Sequence, residues 1–449
     1  MHLTVLGGGV ADLAVRFYAI NDGIPVTLYE GADRVGDNCI TLQRGAFRFD
    51  SGAHRFHDKD PEITRDVQSL LGADLLAVQA PSQIYFRGRF IQFPLTPINV
   101  LTRLGPLKSA RAVIDLAAGR LRPVVGPDFE SFAVHAYGRT VADAFLLGYS
   151  EKLWGVPASR LSPSVSGQRL VGLNVRAFLK EAVHGGSSAR AHLDGAFYYP
   201  KQGYGAIADA LAARSNGSDL NLNSRITRLF HDGDRIRAIE VAGRNRVEVS
   251  EVVSTLPLTL MLKILDPQPP TEILAAARRL RFRNVVLVAL FVDRPSITRN
   301  ATVYFPSREI SFTRVYEPKN RSPLMAPAGQ TSVVAEIPCQ FDDHLWTMPE
   351  ADLIAAVRRQ FEALGWFPDS AVIDACTYKI PYAYPVLEIG SDEITRDILA
   401  FLSRFRNLSV AGRSGRFSYT HLHDLMSFGR DVVNEFRTRR IEATACAAS

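Results

Sequence analysis

The stretch that most restricts the fold is a glycine-rich turn close to the amino terminus. Residues 3–6 are mostly apolar and lead into the three glycines of 7–9, after which a helical pattern begins. This order predicts a strand, a tight turn and a helix. A second apolar strand is predicted over 24–29, and it ends on Glu30. Together these elements form the pattern of a βαβ unit that binds a dinucleotide.

Each part of this pattern has a chemical role. Gly7 and Gly9 let the backbone approach a pyrophosphate, and the start of the helix offers free N–H groups and a partial positive charge. Glu30 is spaced to accept hydrogen bonds from ribose hydroxyls. A tight turn in any α/β sheet is the alternative interpretation, but the spacing of Glu30 favours nucleotide binding. One position departs from the pattern, because Asp12 stands where glycine or alanine is expected.

Composition excludes several other classes of protein. Of the 449 residues, 47% are hydrophobic and 22% are charged, as in ordinary globular proteins, and the net charge of +6 suits an anionic small ligand at most. No basic run with interleaved aromatic residues indicates nucleic acid. The scattered cysteines lack metal-binding spacing and favour a reducing compartment. The early first strand leaves no room for a signal peptide, and no apolar run could cross a membrane, so a cytoplasmic location is expected.

The order of the predicted elements indicates two interleaved domains. A nucleotide-binding domain is predicted from residues 1–80, 196–268 and 396–449. A second, substrate-binding domain is predicted from residues 81–195 and 269–395. Apolar alternation and turn residues predict the main elements of both domains. These are a hairpin over 82–93, a mostly helical block over 95–180, a meander over 224–249, strands over 285–292, 302–305, 310–315 and 331–337, and a closing helix over 424–439.

Several further motifs follow the glycine turn in a fixed order. They are residues 35–41 (VGDNCIT), 52–57 (GAHRFH), 148–155 (GYSEKLWG), 200–204 (PKQGY), 280–283 (LRFR), 311–317 (SFTRVYE), 384–386 (YPV) and 412–419 (GRSGRFSY). In this order the chain resembles the flavin-containing amine oxidase and protoporphyrinogen oxidase-like superfamily. Within it, the chain is most similar to the UDP-galactopyranose mutase-like flavoproteins.

The resemblance implies an α/β fold in which a Rossmann-like FAD-binding domain of the GR2 type is interleaved with a mixed helical and antiparallel-sheet substrate domain. It also implies FAD as the cofactor. The implied cofactor-binding residues are Gly7, Gly9, Glu30, Gly36, Asn38, Gly52, Gly412, Arg413 and Met426. The implied substrate-binding residues are Trp154, Arg314 and Tyr384, and the implied catalytic residues are His54, Arg169, Arg283 and Tyr419.

Other interpretations of these residues stay open. His54 is a candidate for tuning the flavin or assisting proton movement, but beside two glycines it is also suited to satisfying backbone carbonyls. Trp154 fits a hydrophobic core equally well. Arg283 shares a strand face with Arg281, which is compatible with ion pairing as well as with binding a phosphate. The segment 421–424 (HLHD) is weak as a zinc site and is predicted to be a loop and helix N-cap, so no metal is expected.

The helical stretch over 95–122 mixes apolar and basic residues. An amphipathic helix that covers the substrate domain is the favoured interpretation, and contact with a membrane surface is the alternative. The oligomeric state is not indicated by any pattern.

Two positions break the motifs of the family, and both replace glycine by aspartate. Asp12 and Asp37 are expected to flank the pyrophosphate, where each carboxylate repels a phosphate by roughly 1 kcal/mol in water and by more when shielded from it. The segment after Arg169 has Asn-Val-Arg at 174–176 instead of the aromatic residues that hold uracil in the mutases.

Three functions therefore follow from the sequence. The first is an FAD-dependent oxidoreductase that transfers a hydride from a small substrate, such as a phosphorylated compound or a nucleotide sugar, to flavin N5. The second is a mutase-like isomerase in which reduced flavin acts as a nucleophile. The third is a degenerate relative with weak or no FAD binding, which Asp12 and Asp37 suggest.

Overall fold

A computed structural model describes residues 2–93, 104–120, 126–166, 196–214 and 219–448. Twenty strands occur in these ranges: β1 Leu3–Leu6, β2 Val26–Tyr29, β3 Thr41–Arg44, β4 Phe47–Asp50, β5 Leu75–Gln79, β6 Ser82–Phe86, β7 Arg89–Phe93, β8 Ala196–Pro200, β9 Leu220–Asn221, β10 Ile226–His231, β11 Ile236–Val241, β12 Asn245–Glu248, β13 Glu251–Ser254, β14 Leu265–Asp266, β15 Phe282–Val292, β16 Thr302–Tyr304, β17 Arg314–Tyr316, β18 Thr331–Cys339, β19 Val372–Pro385 and β20 Leu408–Val410.

The helices of the described ranges are α1 Val10–Asn21, α2 Pro61–Leu71, α3 Pro106–Arg120, α4 Phe129–Tyr137, α5 Arg139–Val141, α6 Gly148–Trp154, α7 Ala206–Ala213, α8 Leu258–Ile264, α9 Thr271–Ala277, α10 His344–Thr347, α11 Glu350–Ala363, α12 Ser391–Leu402, α13 Gly412–Gly415 and α14 Leu422–Ala448. A π-helical turn at Ala142–Leu147 joins α5 to α6. Each of these helices falls short of the length or the apolar character that a membrane crossing requires.

The first sheet has five parallel strands in the order β20-β13-β1-β2-β9. Its middle strand, β1, is buried along its whole length. Leu3 and Val5 pack into one apolar core together with α1, whereas Leu6 packs into a second core with Val252. Both faces of the sheet are therefore covered, as parallel sheets require. Since the strands are parallel, the residues that follow β1, β13 and β20 lie at the same edge.

The second large sheet has seven strands in the order β19-β15-β18-β17-β16-β6-β7. Its long strand β15 pairs antiparallel with β18 and β19, and all 11 of its residues are buried. A smaller sheet has the order β12-β11-β10-β14. These sheets, the helices and the parallel sheet confirm the predicted fold class. Although the two large sheets use separate parts of the chain, the predicted domain boundaries themselves stay a prediction.

Most of the predicted strands are present. The hairpin over 82–93 is β6 and β7, and the buried strand over 285–292 is β15, which begins three residues earlier. The strand predicted over 310–315 is wrong in its first half, because residues 305–312 form a loop and β17 begins at Arg314.

The sequence gives no clear signal for β19. This strand lies at the edge of its sheet, and most of its residues are partly or fully exposed, so it lacks a buried apolar run. The closing helix also differs from its prediction. It begins at Leu422, and Asp424 lies in its first turn and accepts a hydrogen bond from the His421 N–H at 2.8 Å, so Asp424 is not the N-cap.

The helices α1 and α14 pack closely because of one glycine. A Cβ placed on Gly429 would lie 2.6 Å from the Ala14 Cβ and 2.8 Å from the Val15 nitrogen. A contact this short cannot form without moving the backbone of α1. Gly429 therefore sets the distance between the two helices that cover one face of the parallel sheet.

We expect Gly429→Ala to destabilise the protein by about 1–3 kcal/mol, although alanine normally stabilises a helix interior by about 1 kcal/mol relative to glycine. The urea midpoint of unfolding measures this change. The control is Asn434→Ala, an exposed position of the same helix, where a change within about 0.5 kcal/mol is expected. A stabilised Gly429→Ala protein would contradict the close packing.

Candidate functional site

The ends of three parallel strands meet at the glycine turn. Gly7 follows β1 with a φ of +129°, and a Cβ on it would lie 2.5 Å from the Thr255 Oγ1. Gly412 follows β20 with a φ of +76°, and a Cβ on it would lie 3.0 Å from the Thr255 Cβ. Both glycines are therefore required by their backbone conformation and by the close approach of Thr255. Sequence reasoning missed Thr255, whose one signal is its position directly after β13.

The acid that ends the second strand faces this turn. A Cβ on Gly8 would lie 2.7 Å from the Glu30 Oε2. The other oxygen of the carboxylate, Oε1, accepts a hydrogen bond from the Ala32 N–H at 2.7 Å. This arrangement fixes the carboxylate beside the glycine turn, as the dinucleotide pattern predicts.

A second tight turn packs against the first at residues 36–38. The Gly36 N–H donates to the Gly8 carbonyl at 2.8 Å, and a Cβ on Gly36, whose φ is +104°, would lie 2.6 Å from the Cys39 carbonyl oxygen. Asp37 follows with a φ of +48°, in the left-handed region that favours glycine. The Asn38 carbonyl accepts from the Ser51 hydroxyl at 2.7 Å, which joins this turn to the loop that carries His54.

Asp12 lies beneath the first turn and is completely buried. Its Oδ2 accepts hydrogen bonds from the Gly9 N–H at 3.0 Å and from the Thr255 hydroxyl at 2.5 Å, while its Oδ1 has no partner among the described residues. Burial raises the pKa of Asp12 well above its usual range, and Glu30 and Asp37 act in the same direction. Asp12 therefore accepts the hydrogen bond of a backbone N–H at the start of α1. In dinucleotide folds, N–H groups at this position bind the pyrophosphate.

Asp37 adds a second acid on the same side of the turn. Asp37 is exposed to solvent, but the surrounding protein removes part of the hydration of its carboxylate and, together with Glu30, raises its pKa to about 6. Arg413 and Arg34 oppose this effect. The glycine turn is thus surrounded by three acids, of which only Glu30 belongs to the dinucleotide pattern.

The predicted substrate residues form one aromatic cluster. The Trp154 ring centroid lies 6.1 Å from that of Tyr384 and 6.4 Å from that of Tyr419, and the two tyrosine rings are 6.0 Å apart. The Arg413 guanidinium lies over both tyrosine rings, at 5.9 Å and 5.0 Å from their centroids. Residues from three separate motifs are therefore brought together by the fold.

Arg314 joins this cluster to the loop of His54. Its Nη2 donates to the Tyr384 hydroxyl at 2.9 Å, and its Nε binds the carboxylate of Glu336. Glu336 also accepts from the Ala53 N–H at 2.7 Å. Sequence reasoning missed Glu336, although an acid inside the apolar strand β18 is a signal that a buried charge must be paired.

His54 is held as a neutral imidazole. Its ring stacks on Tyr204 with centroids 5.0 Å apart, and its Nε2 lies 3.3 Å from the Ser51 hydroxyl. Burial lowers the pKa of His54 to about 3, and the positive charges of Arg314 and Arg413 contribute. A histidine with this pKa is uncharged near neutral pH, so it can form hydrogen bonds but is a poor general base.

Three other predicted residues lie elsewhere. The Arg283 side chain is buried and donates to the carbonyls of Lys152, Leu153 and Pro338 at 3.0–3.3 Å and to Asp343 at 3.2 Å. This arrangement favours a structural role. Met426 is completely buried in the core against α1, and Arg169 lies outside the described residues, as do residues 174–176.

No group of three or more histidine, cysteine, aspartate or glutamate side chains in the described ranges is arranged to hold a metal ion. His421 and His423 stack with ring centroids 5.7 Å apart.

Comparison with known proteins identifies the family and the fold. The sequence pattern of the flavin-containing amine oxidoreductase family matches residues 20–421. The zeta-carotene-forming phytoene desaturase of Myxococcus xanthus is 23% identical over 407 residues, which is 81% of this chain and 78% of the desaturase. The chloroplastic protoporphyrinogen oxidase of Nicotiana tabacum is 22% identical over 295 residues, which is 60% of this chain and 53% of the oxidase. The solved structure of a reduced UDP-galactopyranose mutase has a TM-score of 0.86 at 19% identity, and covers 97% of this chain and 95% of the mutase.

The raised pKa of Asp12 predicts how folding stability depends on pH. The folded state binds the Asp12 proton more tightly than the unfolded state does, so this contribution to stability is complete below about pH 3.8 and is lost as the pH rises through the folded-state pKa. Asp12→Asn removes the titration. We expect the variant to gain stability relative to the wild type as the pH is raised from about 4 to about 8.

Urea unfolding across this pH range measures the difference. Asp33→Asn, at an exposed aspartate of the neighbouring loop, is the control and should follow the wild type. A pH dependence that is the same in Asp12→Asn and in the wild type would show that Asp12 does not titrate as its burial requires.

Proposed function

Because this chain belongs to the flavin-containing amine oxidoreductase family, we propose that it is an FAD-dependent oxidoreductase that removes a hydride from a small anionic substrate. The observation that carries the proposal is the cluster of Trp154, Tyr384, Tyr419 and two arginines, which is joined through Glu336 to the loop of Gly52 and His54. A substrate held on this cluster is beside the loop that the resemblance assigns to the flavin ring.

FAD is the cofactor, and the glycine turns fit a dinucleotide. A Cβ on Gly7, Gly8 or Gly36 would lie 2.5–2.7 Å from another atom, so only glycine leaves the backbone accessible there. Gly7, Gly9 and Glu30 would hold the ADP half, Gly36 and Asn38 the pyrophosphate and ribityl chain, and Gly52, Gly412 and Arg413 the region of the ring. When bound, FAD supplies a ring that accepts a hydride at N5.

The side chains of the cluster define the substrate by charge and shape. Arg413 and Arg314 provide positive charge and several N–H donors, which suit a carboxylate or a phosphate. The faces of Trp154 and the two tyrosines suit a ring or another flat group. Neutral His54 can orient a group by hydrogen bonding without competing with the arginines for the anion. The hydride would carry its electron pair to flavin N5, and the proton that the substrate loses in the same oxidation would pass to solvent water, since His54 is a poor base.

A UDP-galactopyranose mutase-like isomerase is the second candidate. It is favoured by the same aromatic and arginine cluster, because tyrosine hydroxyls and arginines together suit a diphosphate. The fold likeness to the reduced mutase supports the architecture only. Residues 174–176, which correspond to the segment that holds uracil in the mutases, lie outside the described residues.

A degenerate relative with weak FAD binding is the third candidate. It is favoured by Asp12, which occupies the Gly9 N–H with its own carboxylate, and by Asp37 beside it. Asp12 takes up an N–H donor that a pyrophosphate would use, and a charged Asp37 repels the pyrophosphate.

Anaerobic mixing with a panel of carboxylated and phosphorylated compounds separates the first two candidates. An oxidoreductase substrate bleaches the oxidised flavin band. In contrast, a mutase isomerises UDP-galactopyranose with dithionite-reduced protein and leaves the flavin reduced.

For the active compound, we expect Arg413→Gln to raise KM by roughly 10- to 100-fold, because it removes charge-assisted hydrogen bonds. The control is Arg416→Gln at a nearby exposed arginine, and an equal KM in both variants would argue against the cluster as the anion site.

The acids at the turn predict that FAD binds more weakly as the pH rises. Asp37 has a pKa of about 6, so it becomes charged as the pH rises through 6. Its carboxylate then repels the pyrophosphate. We expect the Kd of the wild type for FAD to increase as the pH rises through 6. Near pH 8, the Asp12→Gly/Asp37→Gly double variant should bind FAD at least about fivefold more tightly than the wild type does. Quenching of flavin fluorescence measures the Kd. If the double variant and the wild type bind FAD equally, the repulsion does not operate, and undetectable binding by the wild type alone would favour the degenerate candidate.

A further inference from the structure

A lysine on α6 is surrounded by main-chain carbonyl groups. The Lys152 Nζ lies 2.6 Å from the Phe305 oxygen, 2.9 Å from the Ser307 oxygen, 3.0 Å from the Ile310 oxygen and 2.8 Å from the Phe312 oxygen. All four carbonyls belong to the single loop 305–312 between β16 and β17. The loop therefore curls around the ammonium group and directs its peptide dipoles at it.

This arrangement differs from an ordinary lysine ion pair. An ammonium has three N–H donors, whereas four oxygens lie within 3.0 Å of Lys152. Because the oxygens outnumber the N–H donors, they cannot each accept a separate hydrogen bond. Their arrangement corresponds to the coordination shell of a spherical cation. Rings of main-chain carbonyls are also the groups that replace the hydration shell of K⁺ in proteins.

No carboxylate of the described residues pairs with Lys152. Its neighbour Glu151 forms an ion pair with Arg308 and accepts from the Ala158 N–H at 3.1 Å. The charge of Lys152 is thus compensated by the carbonyl dipoles of the loop. Burial lowers the pKa of Lys152 to about 7, while the carbonyl oxygens act in the opposite direction because they stabilise the charged form.

We propose that loop 305–312 is a four-carbonyl binding site for a monovalent cation, which this chain fills with the ammonium group of Lys152. The site ties the loop to α6, and a residue at or just after the end of each of these two elements contacts Tyr384. Trp154 lies two residues after Lys152, and Arg314 lies two residues after the last carbonyl of the site. The proposal does not depend on the reaction of the enzyme.

Removing the side chain tests the site. Lys152→Ala leaves the four carbonyls and makes room for an added ion. We expect the Tm of the FAD-loaded variant to be lower than that of the wild type in choline chloride and to rise by about 2 °C or more in K⁺ or NH₄⁺ at the same ionic strength. Li⁺ is too small to touch all four oxygens and should have little effect. The wild type should respond equally to all four salts.

Two further variants make the result specific. Lys152→Met keeps a side chain of similar length inside the ring of carbonyls, so it should unfold at a low temperature in every salt. Lys201→Ala removes a half-exposed lysine that pairs with Asp74 and should show no selective response to K⁺. Crystals of Lys152→Ala soaked in Tl⁺ should have an anomalous peak between the four oxygens.

The proposal would be overturned if Lys152→Ala had the same Tm in all of these salts. It would also be overturned if K⁺ raised the Tm of Lys152→Met as much as that of Lys152→Ala. A Lys152→Ala protein that is insoluble in K⁺ as well as in choline would also count against it, since K⁺ should replace the ammonium. Each result is read from folding and not from activity, so it stands apart from the outcome for the proposed function.

Discussion

The close approach of Gly7 and Gly412 to Thr255 is the contact on which the cofactor site depends. It exists because β1, β13 and β20 are parallel neighbours, so their carboxyl ends meet at one edge of the sheet. This edge brings together the start of α1, which follows β1, and the short helix α13 with Arg413, which follows β20. Asp12 uses the same crowding differently, because the Thr255 hydroxyl and the Gly9 N–H hold its carboxylate where other chains of this pattern have none.

The two halves of the site are coupled by a buried ion pair. Glu336 binds Arg314 on one side and the Ala53 N–H on the other. Removing either charge would leave the other buried and unpaired, which is strongly destabilising. The position of the aromatic cluster relative to the loop of His54 is therefore held by charges inside the protein. Burial, with a contribution from the charges of Arg314 and Arg413, keeps His54 neutral.

The sequence was most informative where a residue is demanded by backbone geometry. Gly7, Gly36 and Gly412 could be predicted because no other residue fits their turns. Trp154, Tyr384 and Tyr419 could be predicted through the family motifs, because their spacing along the chain reveals no contact. In contrast, Thr255 and Glu336 act through distant partners and have no local pattern. Arg283 and Lys152 stand in motifs, yet their carbonyl partners are main-chain groups of remote segments, which a sequence does not display.

The position of β1 in the middle of the parallel sheet also has a consequence for synthesis. Its neighbour β13 is made about 250 residues after β1, and β20 lies beyond residue 400. Pairing over such separations is slow, because a long loop must close before any contact forms. β1 can pair early with β2, but its other edge stays unpaired until β13 has been made. The unpaired edge of β1 is expected to need protection during synthesis, and the parallel sheet is completed only after β20 has been made.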